Sequence, residues 1–586
     1  MNRLPARALA LVIMAATLAD LPAQDLAHRE QLLTVTVRDA SGALLPATDV
    51  RIETIDPEFR WGTAVTAARL RDEHPETMRA LNRYFNSITF ENDMKWSSYA
   101  NSTVATREAY RQAVEGMSAF GGTQPLRIRG HVTLWANQAP YNFNTTSLSA
   151  EQIRALIDAH IEAYHTEFKG AVTQYDFYNE PRSERALIQK LVPSSNWAEG
   201  SATSGVAQAE IDEVAGWFKR AAEVDPEAVL YINDYNIINN WEPDHRRVRA
   251  YKDYIDRLRD AGAPVGGIGV QCHIDRYVSH AQVKDRLDIL AAPMAPTAQH
   301  PEGLPGLPIE VTELDINNPA NWYGGTYPSA DVQAEIIDNV VRAAFEHPAV
   351  VGLTIWGIND GYHWRDNSVL YDASGALKPS GQAFVDLVRG AYWTSEEGQT
   401  DASGQFARTV FRGTLRISAR VDGLARSVEV SVGKTAATLE LTLEEPVGAI
   451  ETYGDWLDRH WFTSVDDFGQ YADLDGDRIN NFIEYLTGSD PAVAGYRPAA
   501  GELSASGAEF LVQIPIRTHW TQRLGLVPWA ASASAGPLQA WVPAAGSPQS
   551  QGTSGDFEVF ELRLPSDAAA ARFYTFTFPR DRALTD

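Results

Sequence analysis

The sequence predicts an α/β fold: a (β/α)8 TIM barrel with an appended small β-domain and a C-terminal β-rich region. Three observations carry that reading. Eight strand-like runs from Phe59 onward alternate with helical stretches, which points to a closed parallel sheet. Beyond Gly390 the pattern changes to apolar–polar alternation at period two, broken by Gly and Asp, as expected of antiparallel strands. Between them, the run YDFYNEP (175–181) places aromatic strand residues ahead of Asn179 and Glu180 and is stopped by Pro181. It delivers a carboxyl group at the carboxyl end of a strand, where barrels of this kind carry their chemistry.

Composition sets the bounds. At 586 residues the chain exceeds a single hydrophobic core, so about two to four domains are expected. A hydrophobic content of 44% with 15 Trp supplies ample material for burial. The net charge of −26 argues against nucleic acid and anionic membrane surfaces as partners, because both need basic patches. Residues 1–23 read as a secretory signal peptide: Arg3 and Arg7, then an apolar run from Ala8 to Leu18, with cleavage expected between Ala19 and Gln24. The expected location is therefore secreted or extracytoplasmic: periplasm, cell surface or extracellular. No later stretch approaches the ~20 apolar residues of a transmembrane helix. Cys272 is the one cysteine, so no internal disulfide is expected.

In chain order, residues 31–58 form an N-terminal β segment, LLTVTV and DVRIETI around a turn at Asp39–Gly42. The barrel is expected over 59–390. Its strands read as FRWGTAV (59–65), NSITF (86–90), LRIRGHVTLW (126–135), YDFYN (175–179), VLYIND (229–234), GGIGVQ (266–271), PIEVTE (308–313) and GLTIW (352–356). Helical periodicity is clearest over 151–168 and over 210–224, where Asp225-Pro226 ends it. Residues 394–445 read as a small antiparallel β-domain, a candidate partner for residues 31–55 and a packing accessory by default.

Residues 455–495 surround the sharpest metal signal, DLDGDRINNFIE at 473–484. Asp473, Asp475 and Asp477 stand at EF-hand positions 1, 3 and 5, Ile479 offers its carbonyl at 7, Asn481 lies at 9 and Glu484 at 12. Arg478 replaces the usual glycine at position 6. A structural Ca2+ is the expectation, against a solvated acidic turn. The loop resembles dockerin and thrombospondin type 3 repeats, but occurs once. Residues 500–586 show β-like pieces without a functional signal, and this C-terminal region is a candidate surface anchor.

A second strand end answers Glu180. PIEVTELDI (308–316) delivers Glu313, and two carboxylic acids from two strand ends are the minimum for cleaving a glycosidic bond. Asp315 lies two residues on, so strand alternation gives both acids the same face. A like charge that close raises a carboxyl's pKa unless a cation or donor intervenes, and His273 suits that role.

Seven stretches then occur in one order: ENDMKW (91–96), RGHVTLW with Gln138 (129–138), YNE (178–180), INDYN (232–236), GIGVQCH (267–273), TELDI (312–316) and WGINDGYHWR (356–365). Together they make the region from Phe59 to Gly390 resemble glycoside hydrolase family 10, the endo-β-1,4-xylanases. The resemblance implies a retaining hydrolase acting inside a β-1,4-linked xylose chain, with no cofactor for catalysis and xylan as partner. Glu313 is then the nucleophile and Glu180 the acid/base, supported by His273, Asp315 and Asn179, the last toward a sugar 2-hydroxyl. Burial and the charge of Glu313 are expected to keep Glu180 protonated until the glycosyl-enzyme forms. Glu91, Asn92, Lys95, His131 and Gln138 match hydroxyl-binding positions, and Trp135, Trp356 and Trp364 match rings that wall the sugar sites. Tyr235 and Gln271, from INDYN and GIGVQCH, complete the implied substrate-binding set. Two departures stand out: Ala136 where the family commonly carries His, and Tyr178 where it carries a small aliphatic residue.

Two other readings compete. A metal-dependent barrel hydrolase would use His131, His273 and the acids, but the first strand lacks the His-x-His pair such enzymes want. A non-catalytic carbohydrate-binding or adhesion protein on a barrel scaffold would be signalled by loss of Glu180 or Glu313, and both are present.

Overall fold

The computed structural model describes residues 26–71, 75–104, 106–107, 125–239, 242–317, 329–421 and 424–443, together with backbone strands between 505 and 577. The expected signal peptide and the loop 473–484, with Asp473, Asp475, Asp477, Ile479, Asn481 and Glu484, lie outside the described residues.

The chain opens with β1 (Glu30–Asp39) and β2 (Asp49–Pro57) and continues into β3 (Arg60–Val65), β4 (Ser87–Phe90), β5 (Arg127–Leu134), β6 (Gln174–Asn179), β7 (Val229–Asp234) and β8 (Gly267–Val270). A two-residue β9 (His273–Ile274) follows, then β10 (Ile309–Ile316) and β11 (Val350–Ile355). Strands β3 to β8, β10 and β11 pair in that order and in parallel, and β11 returns to β3 with Gly352 opposite Arg60, which closes the barrel. The expected strands are all present. Both faces of such a sheet are covered, so its strands are continuously buried, as all of β10 is.

The connecting helices start and stop where local chemistry dictates. Ala150–Phe168 opens on a capping box between Ser149 and Gln152, and His280–Ala291 on another between Ser279 and Gln282. Gln208–Val224 ends at Asp225, whose N–H turns back to Ala221 O just before Pro226. Inside the barrel, Arg129 pairs with Asp176 and, at 3.0 Å, with Glu310, all three fully buried. These charges compensate one another in a place where any one alone would be costly.

Strands β12 (Ser395–Gln399), β13 (Gln405–Phe411), β14 (Gly413–Val421), β15 (Leu424–Val432) and β16 (Ala437–Leu443) do not stand apart from the N-terminal segment. One sheet has the order β13-β1-β16 and the other β12-β2-β14-β15, so the two segments build one β-sandwich. Leu33, Val35 and Val37 of β1 and Val410 of β13 share its core with Ile52, Leu415 and Ile417 of the other sheet. The expectation of an antiparallel domain needs one correction, since β1 and β16 run parallel with Leu33 opposite Ala437. Period-two alternation fixes which face is buried but not strand direction, and no tight turn joins these two strands. The sandwich is tied to the barrel through Arg29, which donates to Phe345 O (2.8 Å), His347 O (2.9 Å) and Val350 O. That contact lies at the amino end of β11, opposite the end that carries Glu180 and Glu313.

Candidate active site

A cleft of about 680 Å³ opens at the carboxyl ends of the barrel strands, lined among others by Glu91, Asn92, Lys95, His131, Trp135, Gln138, Asn179, Glu180, Tyr235, Gln271, His273, Glu313, Trp356 and Trp364. Asp315 is buried directly behind it. The residues singled out in the barrel sequence therefore converge on one place.

Strand irregularities aim them. The pairing of β5, β6 and β10 shifts register between His131 and Leu134, between Asp176 and Tyr178, and between Val311 and Leu314. Such bulges re-aim side chains at a barrel rim. At β10 the shift lets both Thr312 and Glu313 reach Asn233. Glu180 has a left-handed backbone (φ 55°), an uncommon state for a residue with a Cβ, and its N–H is held by Asn233 O at 2.7 Å.

The two carboxyl groups have opposite surroundings. Glu180 accepts from Trp135 Nε1 and Gln271 Nε2, each at 2.9 Å. Burial, followed by the charges of Asp234 and Glu313, outweighs those bonds and pushes its pKa up to about 8. Glu313 accepts from Asn233 Nδ2 at 2.9 Å and from His273 Nε2 at 3.2 Å. His273 Nδ1 donates to Asp315 at 2.9 Å. Burial opposes charge on this imidazole, but Asp315 and Glu313 prevail and hold its pKa up to about 9. His273 is thus a cation between two carboxylates. Burial also works against ionised Asp315, yet His273, Arg365 and His363 keep its pKa below the ordinary value.

An unbroken amide chain joins the acids. Asn179 Oδ1 accepts from Asn233 Nδ2 (3.0 Å) and Gln271 Nε2 (3.4 Å), which fixes its amide orientation and leaves Nδ2 for a ligand. Around this centre, Lys95 donates to Asn92 Oδ1 (2.9 Å) and lies 5.2 Å from the Trp135 ring centre. His131 donates Nδ1–H to Asp176 (2.9 Å) and meets Trp356 edge-on, ring centres 5.1 Å apart. Trp364 is 54% exposed and held by its Nε1 on Asp315 at 3.1 Å, a ring fixed at the rim of the cleft. Ala136 joins the apolar core, and Tyr178 is buried edge-on against Trp217.

His131, Asp176 and Glu313 bring ligand-type atoms within 4.8 Å of one another. They suit a cation poorly: Asp176 is already engaged by Arg129 and His131, and the imidazolium of His273 sits on Glu313. The metal-hydrolase reading loses its donor set here.

A model of glycosyl hydrolase family 10 matches residues 52–387, more than half of the 586. The chain belongs to that family. Its relatives include the anti-sigma-I factor RsgI6 of Acetivibrio thermocellus, 26% identical over 422 residues, covering 71% of this chain and 49% of that protein. Endo-1,4-beta-xylanase 1 of Arabidopsis thaliana is 27% identical over 62% of this chain and 33% of its own length. Endo-1,4-beta-xylanase B of Thermotoga neapolitana is 28% identical over 49% of this chain and 74% of its own. The chain thus spans about half or less of the first two relatives. Among solved structures, xylanase 10B of Thermotoga maritima aligns with a TM-score of 0.45 at 24% identity, covering 57% of this chain and 96% of that one.

Within this family 10 barrel, sequence reasoning passed over Asn233, Asp234, Thr312 and Arg365. A signal for Asn233 was present: it is a polar residue inside a buried strand, and a Cβ on the facing Gly269 would come within 2.5 Å of its Oδ1. Arg365 lines the cleft, donating to Asp315 Oδ1 at 3.3 Å and stacking on Trp364.

Proposed function

We propose that this chain is a retaining endo-1,4-β-xylanase, with Glu313 as nucleophile and Glu180 as acid/base. The observation that carries the reading is the pair of carboxyl groups over one cleft, Glu180 kept protonated by burial and Glu313 faced by the His273 cation. In the first step Glu313 attacks the anomeric carbon while Glu180 protonates the departing glycosidic oxygen. The negative charge of Glu313 is consumed in the bond, so Glu180 loses one cause of its high pKa and can take a proton from water in the second step. Asn179 Nδ2 donates to the 2-hydroxyl of the sugar bound to Glu313, a role supported by the two donors that occupy its Oδ1. Trp135, Trp356 and Trp364 supply flat apolar walls, and Glu91, Asn92, Lys95, His131, Gln138 and Tyr235 supply hydroxyl contacts.

Xylose lacks the hydroxymethyl group of glucose, so walls at Trp356 and Trp364 favour xylan over glucans. Incubation with xylan and with carboxymethylcellulose, followed by product sizing and NMR of the first-formed anomer, tests the reading. Short xylo-oligosaccharides of retained configuration are expected. Inverted products, or tight xylan binding without hydrolysis, would overturn it, the latter in favour of a binding protein.

Two further parts of the proposal rest on sequence. Export follows from the N-terminal leader, and the N-terminus of the mature protein checks it. A structural Ca2+ in 473–484 follows from acids that repel one another unless a cation neutralises them. Chelation should speed proteolysis of the C-terminal region while xylan hydrolysis survives; unchanged proteolysis with no calcium by elemental analysis would reduce the loop to an acidic turn.

A further inference from the structure

We propose that Asp234 is a positioning residue for the acid/base: its buried carboxylate clips the loop after β6 to the loop after β7 and so fixes both the left-handed turn at Glu180 and the placement of Tyr235. The inference rests on the retaining reading above and adds a residue that touches no substrate. Asp234 is the last residue of β7 and fully buried. Its Oδ2 accepts from Arg182 N at 3.2 Å, two residues beyond Glu180, and its Oδ1 from Tyr235 N at 2.8 Å. Its own carbonyl accepts from Gln271 N at 3.0 Å, while the preceding carbonyl, of Asn233, holds Glu180 N at 2.7 Å. Gln271 in turn donates to Glu180 Oε1. Two adjacent residues therefore grip the acid/base loop, the cleft tyrosine and the glutamine on Glu180.

The clip also carries charge. Its two hydrogen-bond donors are backbone N–H groups, and Arg182 and Arg247 act on it from a distance. Tyr178, Tyr251 and Tyr235 face it as neutral rings, and burial with these partial compensations pushes its pKa up to about 7. Glu180 is faced by Asp234, Glu313, Lys95 and Tyr235. Of its two acidic neighbours, Glu313 loses its charge when the glycosyl-enzyme forms and Asp234 does not. Above its own pKa of about 7, Asp234 thus adds to burial in holding the proton on Glu180 in the ground state and still raises its basicity in the second step.

Asp234→Asn keeps the volume, removes the charge and gives up one of the two N–H contacts, because its amide nitrogen cannot accept. The alkaline limb of kcat/KM on a xylo-oligosaccharide should move down by roughly half a pH unit or more, because a less basic Glu180 loses its proton sooner. kcat on xylan should fall about tenfold while a dinitrophenyl xylobioside, which needs no proton in the first step, loses less than about threefold. An unmoved alkaline limb, with equal losses on both substrates, would mark Asp234 as a purely structural residue and overturn the proposal. Should the variant fold poorly, carboxyl carbon NMR of the unaltered protein decides. The Glu180 carboxyl carbon should show, beside its own main step, a smaller inflection at the pH where the Asp234 carboxyl carbon titrates; a Glu180 curve with no inflection there would refute the interaction. That titration needs no substrate. Absence of xylan hydrolysis by the unaltered protein therefore counts against the retaining reading, and a Glu180 curve without that inflection counts against Asp234.

Discussion

Glu180 shows how burial in a barrel pushes one carboxyl group's pKa up while its neighbour Glu313 is faced by the His273 imidazole. Burial holds its pKa near 8 in the fold, against about 4.5 in an unfolded chain, so between those values the folded form binds the extra proton. Stability then falls as pH rises through that window, by up to about 1.4 kcal/mol per pH unit from this residue. Glu180→Gln removes the term, so its stability advantage over the parent should grow from pH 4.5 to 8 in urea titrations; a constant difference would contradict the assignment. His273 contributes with the same sign over a different window: its stabilisation is complete below its unfolded value near 6.5 and is lost as pH rises through about 9. Glu180, Glu313 and His273 were legible in the sequence because each stands at or just beyond the end of a strand-like run inside a dense motif. Thr312 was not, because strand periodicity alone assigns alternate residues to alternate faces and the shift at Val311–Leu314 breaks that rule; Asn233 and Asp234 were passed over because their partners lie on or just after other strands.

At the scale of elements, the loop after β11 carries Trp356, Trp364 and Arg365; Asp315 holds its tip and a second, largely buried acid, Asp360, holds its base. Asp360 accepts from Ser368 N (2.7 Å) and Val369 N (3.0 Å), and pairs with Lys378 Nζ at 2.8 Å. Removing one partner of a buried pair leaves the other uncompensated, so Lys378→Met should cost about 3 kcal/mol in the urea midpoint. KM for xylan should rise several-fold with kcat within about twofold, because the loop places sugar-stacking rings and not the carboxyl groups. A large fall in kcat with KM unchanged would show that the loop governs the chemistry instead. The barrel strands were readable as local runs bounded by Gly and Pro. The union of residues 30–57 with 395–443 was open only as a suggestion, since hydrogen bonds between strands more than 340 residues apart leave no local trace.

At the scale of the whole molecule, sandwich and barrel meet through Arg29, whose guanidinium caps three carbonyls and lies 4.9 Å from the Phe59 ring centre, alongside the Arg127–Asp56 ion pair and the Phe345–Phe411 ring contact. Arg29→Met should lower stability by about 2–4 kcal/mol through those unsatisfied carbonyls and split calorimetric unfolding into separate sandwich and barrel transitions. Activity at low temperature should persist, because the contact is at the barrel end remote from the cleft. A single transition at the parental temperature would show that Arg29 does not couple the two.

The central claim is that Glu313 forms a bond to the sugar, and a mechanism-based label tests it most directly. A 2-fluoro xylobioside with a good leaving group lets the first step proceed and starves the second. Mass spectrometry of the digested protein should find one added glycosyl mass on the peptide containing Glu313 and none on Glu313→Gln. A label on any other residue, or rapid turnover with inverted product and no label, would contradict it.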